Sequence, residues 1–215
     1  MGFKSHLTNA EIFDRIYRSN TWGFGSGSGS IPMFNKSYLE FVNGFLRAHK
    51  DIKTIVEIGC GDWQIGKHLD LAERMYIGCD VSGFIIEKVQ KRFSSPHVQF
   101  LQLDAVRDGL PIGDLVIVKD VLQHLPNQDV FRLLQKLDVY PRAIVQNDIL
   151  TGGTRNRDIS PGAFRPLDIT AHPFNAKSYR LVCVYTEVLR RPLNFVRHLV
   201  GAPPIQKGIF VMQGF

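Results

Sequence analysis

Long apolar runs are missing from this chain. Nowhere in its 215 residues is there a stretch able to span a bilayer, which excludes a helical membrane protein. The N-terminal residues Met1 to Ala10 carry no apolar core of a secretory signal. Cysteine is scarce, and Cys60, Cys79 and Cys183 lack metal-ligand spacing. All three fall in or beside apolar runs, so they read as reduced, structural thiols, which points to a cytoplasmic setting in whatever host. There is no internal repeat. The net charge of +6 is too modest to establish nucleic-acid binding. Two loose arginine clusters, Arg155/Arg157/Arg165 and Arg190/Arg191/Arg197, are either a solvated face or a contact for an anionic substrate such as a nucleotide-linked sugar or a glycan.

What is present fits one domain over residues 1–215. Residues 1–50 hold two helices, Leu7–Ser19, capped by Thr8 or Asn9, and Tyr38–His49. Between them, in Thr21 to Ser30, Thr21-Trp22-Gly23-Phe24 leads into alternating glycine and serine from Gly25. That run is a flexible linker or, given Trp22 and Phe24, a flap over a ligand. From residue 51 onward strands and helices alternate. The expected strands are Thr54–Ile58, Met75–Cys79, Val98–Leu103, Leu115–Lys119, Ala143–Gln146, Tyr179–Leu189 and Gly208–Met212. The expected helices are Ile65–Ala72, Ser82–Phe93 and Asn127–Asp138, with Asn127 as a cap. This rhythm implies an α/β fold whose mostly parallel sheet is covered on both faces. Thr151 to Pro173 reads as a long loop.

The segment Ile55-Val56-Glu57-Ile58-Gly59-Cys60-Gly61-Asp62-Trp63 is a buried strand breaking into a glycine turn. A dinucleotide fingerprint would need its third glycine where Gln64 stands. Glu57 beside the turn suits a cation better than a pyrophosphate. In open α/β sheets ligands sit beyond the C-terminal strand ends. Asp80 occupies such an end about 20 residues after the first glycine, where an acid can bind ribose hydroxyls. Asp104 ends the third strand and can accept from an adenine amino group.

Together these residues, with Val116-Ile117-Val118-Lys119-Asp120-Val121-Leu122-Gln123-His124-Leu125-Pro126 on the fourth strand, resemble the class I S-adenosylmethionine (SAM) methyltransferases over about Thr54 to Asn147. That pattern often carries a third glycine where Trp63 stands here. The resemblance implies a Rossmann-like sheet of seven strands with the last one antiparallel. It implies SAM as cofactor and S-adenosylhomocysteine as product, held by Glu57, Gly59, Cys60, Gly61, Asp80, Val81, Asp104, Ala105 and Lys119, with Trp22 from the flap. The Trp-Gly followed by a Gly/Ser run, and the Asn156–Phe174 region, resemble a narrower group associated with glycan-building enzymes.

A sugar hydroxyl needs a general base, and His124 has the pKa for it. Asp148 is the other candidate, as base or as the group orienting His124, and Asp120 contacts the cofactor or orients a base. The long loop supplies Arg155, Arg157, Arg165, Asp168 and His172 for the acceptor. Asp120, Asp148, Asp168 and His172 lack a local ligand pattern, so magnesium is not favoured and no metal site is assigned. The Asn/Asp-Pro-Pro-aromatic segment of exocyclic-amine methylases is absent, since that position reads Lys119-Asp120-Val121-Leu122. The expected activity is therefore O-methylation of a sugar or glycan. N- or O-methylation of another small molecule stays open, as does a silent SAM-binding scaffold.

Overall fold

The computed structural model describes residues 7–187 and 190–212. Seven strands form one sheet in the order β3-β2-β1-β4-β5-β7-β6. They are β1 (Thr54–Ile58), β2 (Met75–Asp80), β3 (Val98–Gln102), β4 (Leu115–Lys119), β5 (Ala143–Leu150), β6 (Tyr179–Tyr185) and β7 (Ile205–Met212). The first five run parallel, and β7 is antiparallel to both of its neighbours, β5 and β6. Five helices accompany them: α1 (Asn9–Arg18), α2 (Lys36–Ala48), α3 (Gly83–Phe93), α4 (Asn127–Leu137) and α5 (Arg190–Leu199).

Strand periodicity divides the core. Val56, Ile58, Val116, Val118 and Val145 point to the face covered by Val130, Leu133 and Leu137 of α4. Ile55, Leu115, Ile117 and Ile144 point to the opposite face, covered by Tyr38, Val42 and Leu46 of α2 and by Ile85, Ile86 and Val89 of α3. The strand order reverses between β1 and β4, which opens the ligand crevice of an open α/β sheet there.

Several boundaries differ from the sequence expectation for identifiable reasons. Ile65–Ala72 is not a helix but one short 3₁₀ turn at Gly66–His68. Asn43 of α2 captures that stretch, donating to His68 O and accepting from Asp70 N, so the backbone bonds sideways instead of along a helix. Pro126, not Asn127, caps α4. Thr8 caps α1 in a reciprocal capping box with Glu11. β5 runs on to Leu150 because β7 pairs with it from Ile144↔Val211 to Leu150↔Ile205. Asp148 therefore lies inside a central strand rather than after one. β6 ends at Tyr185, short of the expected Leu189, and residues 188–189 lie outside the described residues, as do residues 1–6 of the N-terminal reading. The periodicity of α5 was not recognised in the sequence. Among the described residues no helix is long and apolar enough to cross a membrane.

Candidate functional site

Beyond β1 the chain turns on Gly59 and Gly61, both left-handed at φ 74° and 53°. The turn is held by Gly59 N and Cys60 N donating to Cys79 O, and by Gly61 N donating to Asp80 Oδ2 at 3.1 Å. Trp63 is also left-handed, at φ 58°, a conformation costly for a bulky side chain. Its indole is buried among Tyr76, Phe93 and Phe100, which offsets that cost. Tryptophan thus keeps the backbone turn that glycine would allow. A Cβ on Gly59 would overlap Val121 Cγ2. Gly59→Ala is expected to lower unfolding free energy by roughly 1–3 kcal/mol, from backbone and steric strain together. Urea denaturation of Gly59→Ala in a Val121→Ala background should recover the steric part alone.

Three acids ring this turn. Glu57 is buried on the α2 face, takes a hydrogen bond from Tyr76 OH, and has its pKa pushed up to about 7 by burial, against Tyr76 and Lys119. Asp80 accepts from Gly61 N and from Tyr17 OH (3.3 Å) on Oδ2, and from Ser82 N (3.0 Å) on Oδ1. Burial raises it to about 6 despite those donors. Asp104 accepts from Val106 N at 3.0 Å and pairs with Arg107 at 2.5 Å, with Asn9 Nδ2 at 3.4 Å.

The N-terminal segment closes over them. Polar residues of α1 reach toward the ends of β2 and β3: Asn9 to Asp104, Asp14 to Ser82 Oγ (2.5 Å) and Phe84 N, Tyr17 to Asp80. The Gly/Ser run is folded rather than a free spacer. Ser26 Oγ accepts from Asp62 N at 2.9 Å, and Gly29 O accepts from Lys119 Nζ at 2.7 Å. A Cβ at Gly25, Gly29 or Gly61 would collide with Asp62, Asp120 or Ser26 respectively, so these glycines permit close approach of the two segments. Trp22 packs edge-on against Phe13 and Tyr17 and tilts over His124, 4.9 Å between centroids.

On the far side, His124 Nδ1 lies 2.9 Å from Ala163 O. A carbonyl only accepts, so Nδ1 carries the proton and Nε2 keeps its lone pair. Burial holds the His124 pKa below its ordinary value, against pulls from Ala163, Asp120 and Asp148. Asp120, left-handed at φ 57°, pairs with Lys119 at 2.6 Å and with Lys207 at 2.7 Å. Burial alone would raise its pKa, but the two lysines outweigh that and hold it well below the usual carboxylate range. Lys207, from β7, is 2% exposed and also meets Asp148 Oδ1 at 3.1 Å and Glu187 at 3.7 Å. Burial disfavours its charge, yet these three acids hold its pKa above the ordinary lysine value. No short motif signals Lys207, because its partners come from the β5–β7 register, Asp148↔Lys207.

All of this surrounds one cavity of about 360 Å³. Glu57, Gly59, Cys60, Gly61, Asp80, Val81, Asp104, Ala105, Lys119, Asp120, His124 and Trp22 line it, joined by Tyr17, Ser26, Phe164 and Lys207, which the sequence did not single out. Asp148 does not line it; its fully buried side chain is engaged by Lys207. Nor do the expected acceptor residues of the long loop. Arg155, Arg157 and His172 are exposed elsewhere. The Arg165 guanidinium is buried and donates to Leu125 O (2.7 Å) and Asn127 Oδ1 (2.8 Å). Asp168 accepts from Thr170 N and Oγ1, closing a local turn. These five residues fasten the loop or face away, leaving Phe164 as its contribution to the cavity. No cluster of three metal-ligating side chains occurs among the described residues.

No family profile matches the sequence, and no curated protein matches it. The fold, by contrast, is shared with many solved structures. Magnesium protoporphyrin IX methyltransferase from Synechocystis PCC 6803, with bound SAM, is 16% identical, with a TM-score of 0.61 over 98% of this chain and 100% of that one. Human N-acetylserotonin methyltransferase in complex with SAM is 18% identical, with a TM-score of 0.57 over 97% of this chain and 61% of that one. The N-terminal domain of EvdMO1, in the presence of S-adenosylhomocysteine and D-fucose, is 14% identical, with a TM-score of 0.54 over 82% of each chain. The seven-stranded sheet with one antiparallel strand is therefore the α/β fold of SAM-dependent methyltransferases.

Proposed function

We propose that this chain is a SAM-dependent methyltransferase acting on a hydroxyl of a sugar or glycan. The observation that carries the reading is the convergence of Glu57, Asp80 and Asp104, from three adjacent parallel strands, on one cavity beside a bare glycine turn. The residues suit SAM. Glu57 would meet the ammonium, Asp80 the ribose hydroxyls, and the Asp104–Ala105–Val106 turn the adenine. Bound there, SAM supplies an electrophilic methyl on a sulfonium. His124 would take the acceptor proton at Nε2, a role supported by the contact of Nδ1 with Ala163 O, which orients the ring. Trp22 and the Gly/Ser run would exclude water.

The acceptor class rests on Trp22, His124 and Phe164, which form an aromatic wall beside the polar Asp120 and Lys207. Such a wall suits the C–H face of a sugar ring, with hydroxyls turned to the charges. The same wall would also stack a flat aromatic acceptor, so methylation of another small molecule is the second reading.

Calorimetry tests the first half. SAM and S-adenosylhomocysteine should bind, and Asp80→Ala should weaken both about ten- to hundredfold, the loss expected for hydrogen bonds to a charged acceptor. Below pH 7 Glu57 is protonated, and a bound ammonium must displace that proton. SAM affinity should therefore rise with pH, by up to about tenfold per unit, and level off above about pH 7. Absence of SAM binding to the folded protein across this range refutes the reading. Mass spectrometry with labelled SAM against sugars and phenols then separates the two acceptor classes.

A further inference from the structure

The helix α5 is mounted with its polar side inward. Asn194 donates from Nδ2 to Ile205 O and accepts on Oδ1 from Ile205 N, both at 2.8 Å, and Arg197 Nε donates to Pro203 O at 2.7 Å. At about 100° per residue, Pro192, Leu193, Phe195, Val196 and Leu199 share one continuous arc on the side away from those anchors, and Val200, in the turn just past the helix, follows it. That arc is open: Phe195 is 64% exposed, Leu199 68% and Val200 74%, and Leu193 and Val196 are exposed as well. An amphipathic helix ordinarily buries its apolar arc against its own core.

The charge beside the arc has one sign. No aspartate or glutamate follows Glu187 in the chain, whereas Arg191, Arg197 and His198 lie on the helix. We infer that α5 docks flat on an anionic lipid surface, with Phe195 and Leu199 entering the boundary between headgroups and acyl chains and Arg191, beside the arc, meeting the headgroups. A second copy fits less well. A two-fold contact across this arc would bring the arginines of both helices together with no acid on either to neutralise them. The placement also has a direction. β7 begins where β5 ends, at Leu150↔Ile205, so α5 sits at the same sheet edge as the cavity. Docking would hold that edge against the bilayer.

Flotation of the full chain with vesicles tests this without SAM or methyl transfer, so its failure leaves the proposed chemistry untouched. The protein should float with vesicles containing about one-third phosphatidylglycerol and stay behind with pure phosphatidylcholine. Phe195→Glu with Leu199→Glu should cut the bound fraction at least about tenfold. Both positions are exposed, so the thermal melt should match the parent. Arg191→Glu, a change at another exposed site, should also reduce binding. Failure to float with anionic vesicles, or flotation unchanged by all three substitutions, overturns the inference. So does a sedimentation dimer that the double glutamate variant converts to monomer, since a second copy would then be what covers the arc.

Discussion

Lys207→Met should destabilise the protein by about 3–5 kcal/mol, the cost of removing one partner from a buried ionic cluster. Asp120, Asp148 and Glu187 all converge on Lys207 Nζ, and the first of them has its pKa held down by this contact and by Lys119. Many domains have only 5–15 kcal/mol to lose, so the variant should be close to its unfolding limit at neutral pH. The pH dependence gives the sign. In the parent, the depressed pKa of Asp120 contributes stability above the ordinary aspartate value and loses it as pH falls through the folded value. In Lys207→Met, Glu187, whose pKa burial already raises, loses a cation that opposes that rise, so lowering the pH from 7 toward 5 should restore part of the lost stability. Urea midpoints at pH 5 and pH 7 check this. A variant within about 1 kcal/mol of the parent at pH 7 would show that the cluster does not depend on this lysine.

His124→Ala should lower kcat by about 100-fold or more on the true acceptor and leave SAM affinity nearly intact, because a general base acts in the transition state. The parent should keep its rate down to or below about pH 6.5, the ordinary histidine value, since burial holds His124 neutral. The expected profile is a single rise with an apparent pKa below that value, absent in the variant. His124→Gln, which retains a polar group without a titratable nitrogen, should not rescue the rate. Near-normal kcat in both variants would reassign the proton acceptor.

The parallel half of the sheet was legible because each strand there is a short apolar run ended by glycine or an acid. Glu57, Gly59, Gly61, Asp80 and Asp104 follow from that punctuation, and the structure gathers them in one cavity. What depends on long-range register was not legible. Lys207 is one basic residue in a closing strand until antiparallel pairing sets it opposite Asp148. The same pairing lengthens β5 and draws Asp148 out of reach of the cavity. Arg165 was not legible for a related reason: it donates to Leu125 O and Asn127 Oδ1 of its own fold, and nothing local distinguishes that from a ligand contact. Tyr17 reads as an ordinary helix position and Asn9 as a cap candidate because their partners lie far along the chain.

The reach of α1 to Asp80 and Asp104 has a thermodynamic corollary. Asp80 already holds three donors from its own chain, and Asp104 has Arg107 and Val106 at hand. On the proposed reading, a ribose hydroxyl bonding Asp80 Oδ2 would exchange with Tyr17 instead of filling an empty valence. Recognition at this site is then a swap between an internal ligand and an external one. Its enthalpy is a difference between similar bonds, and the helix acts as a tethered competitor whose local concentration sets how tightly anything else is held.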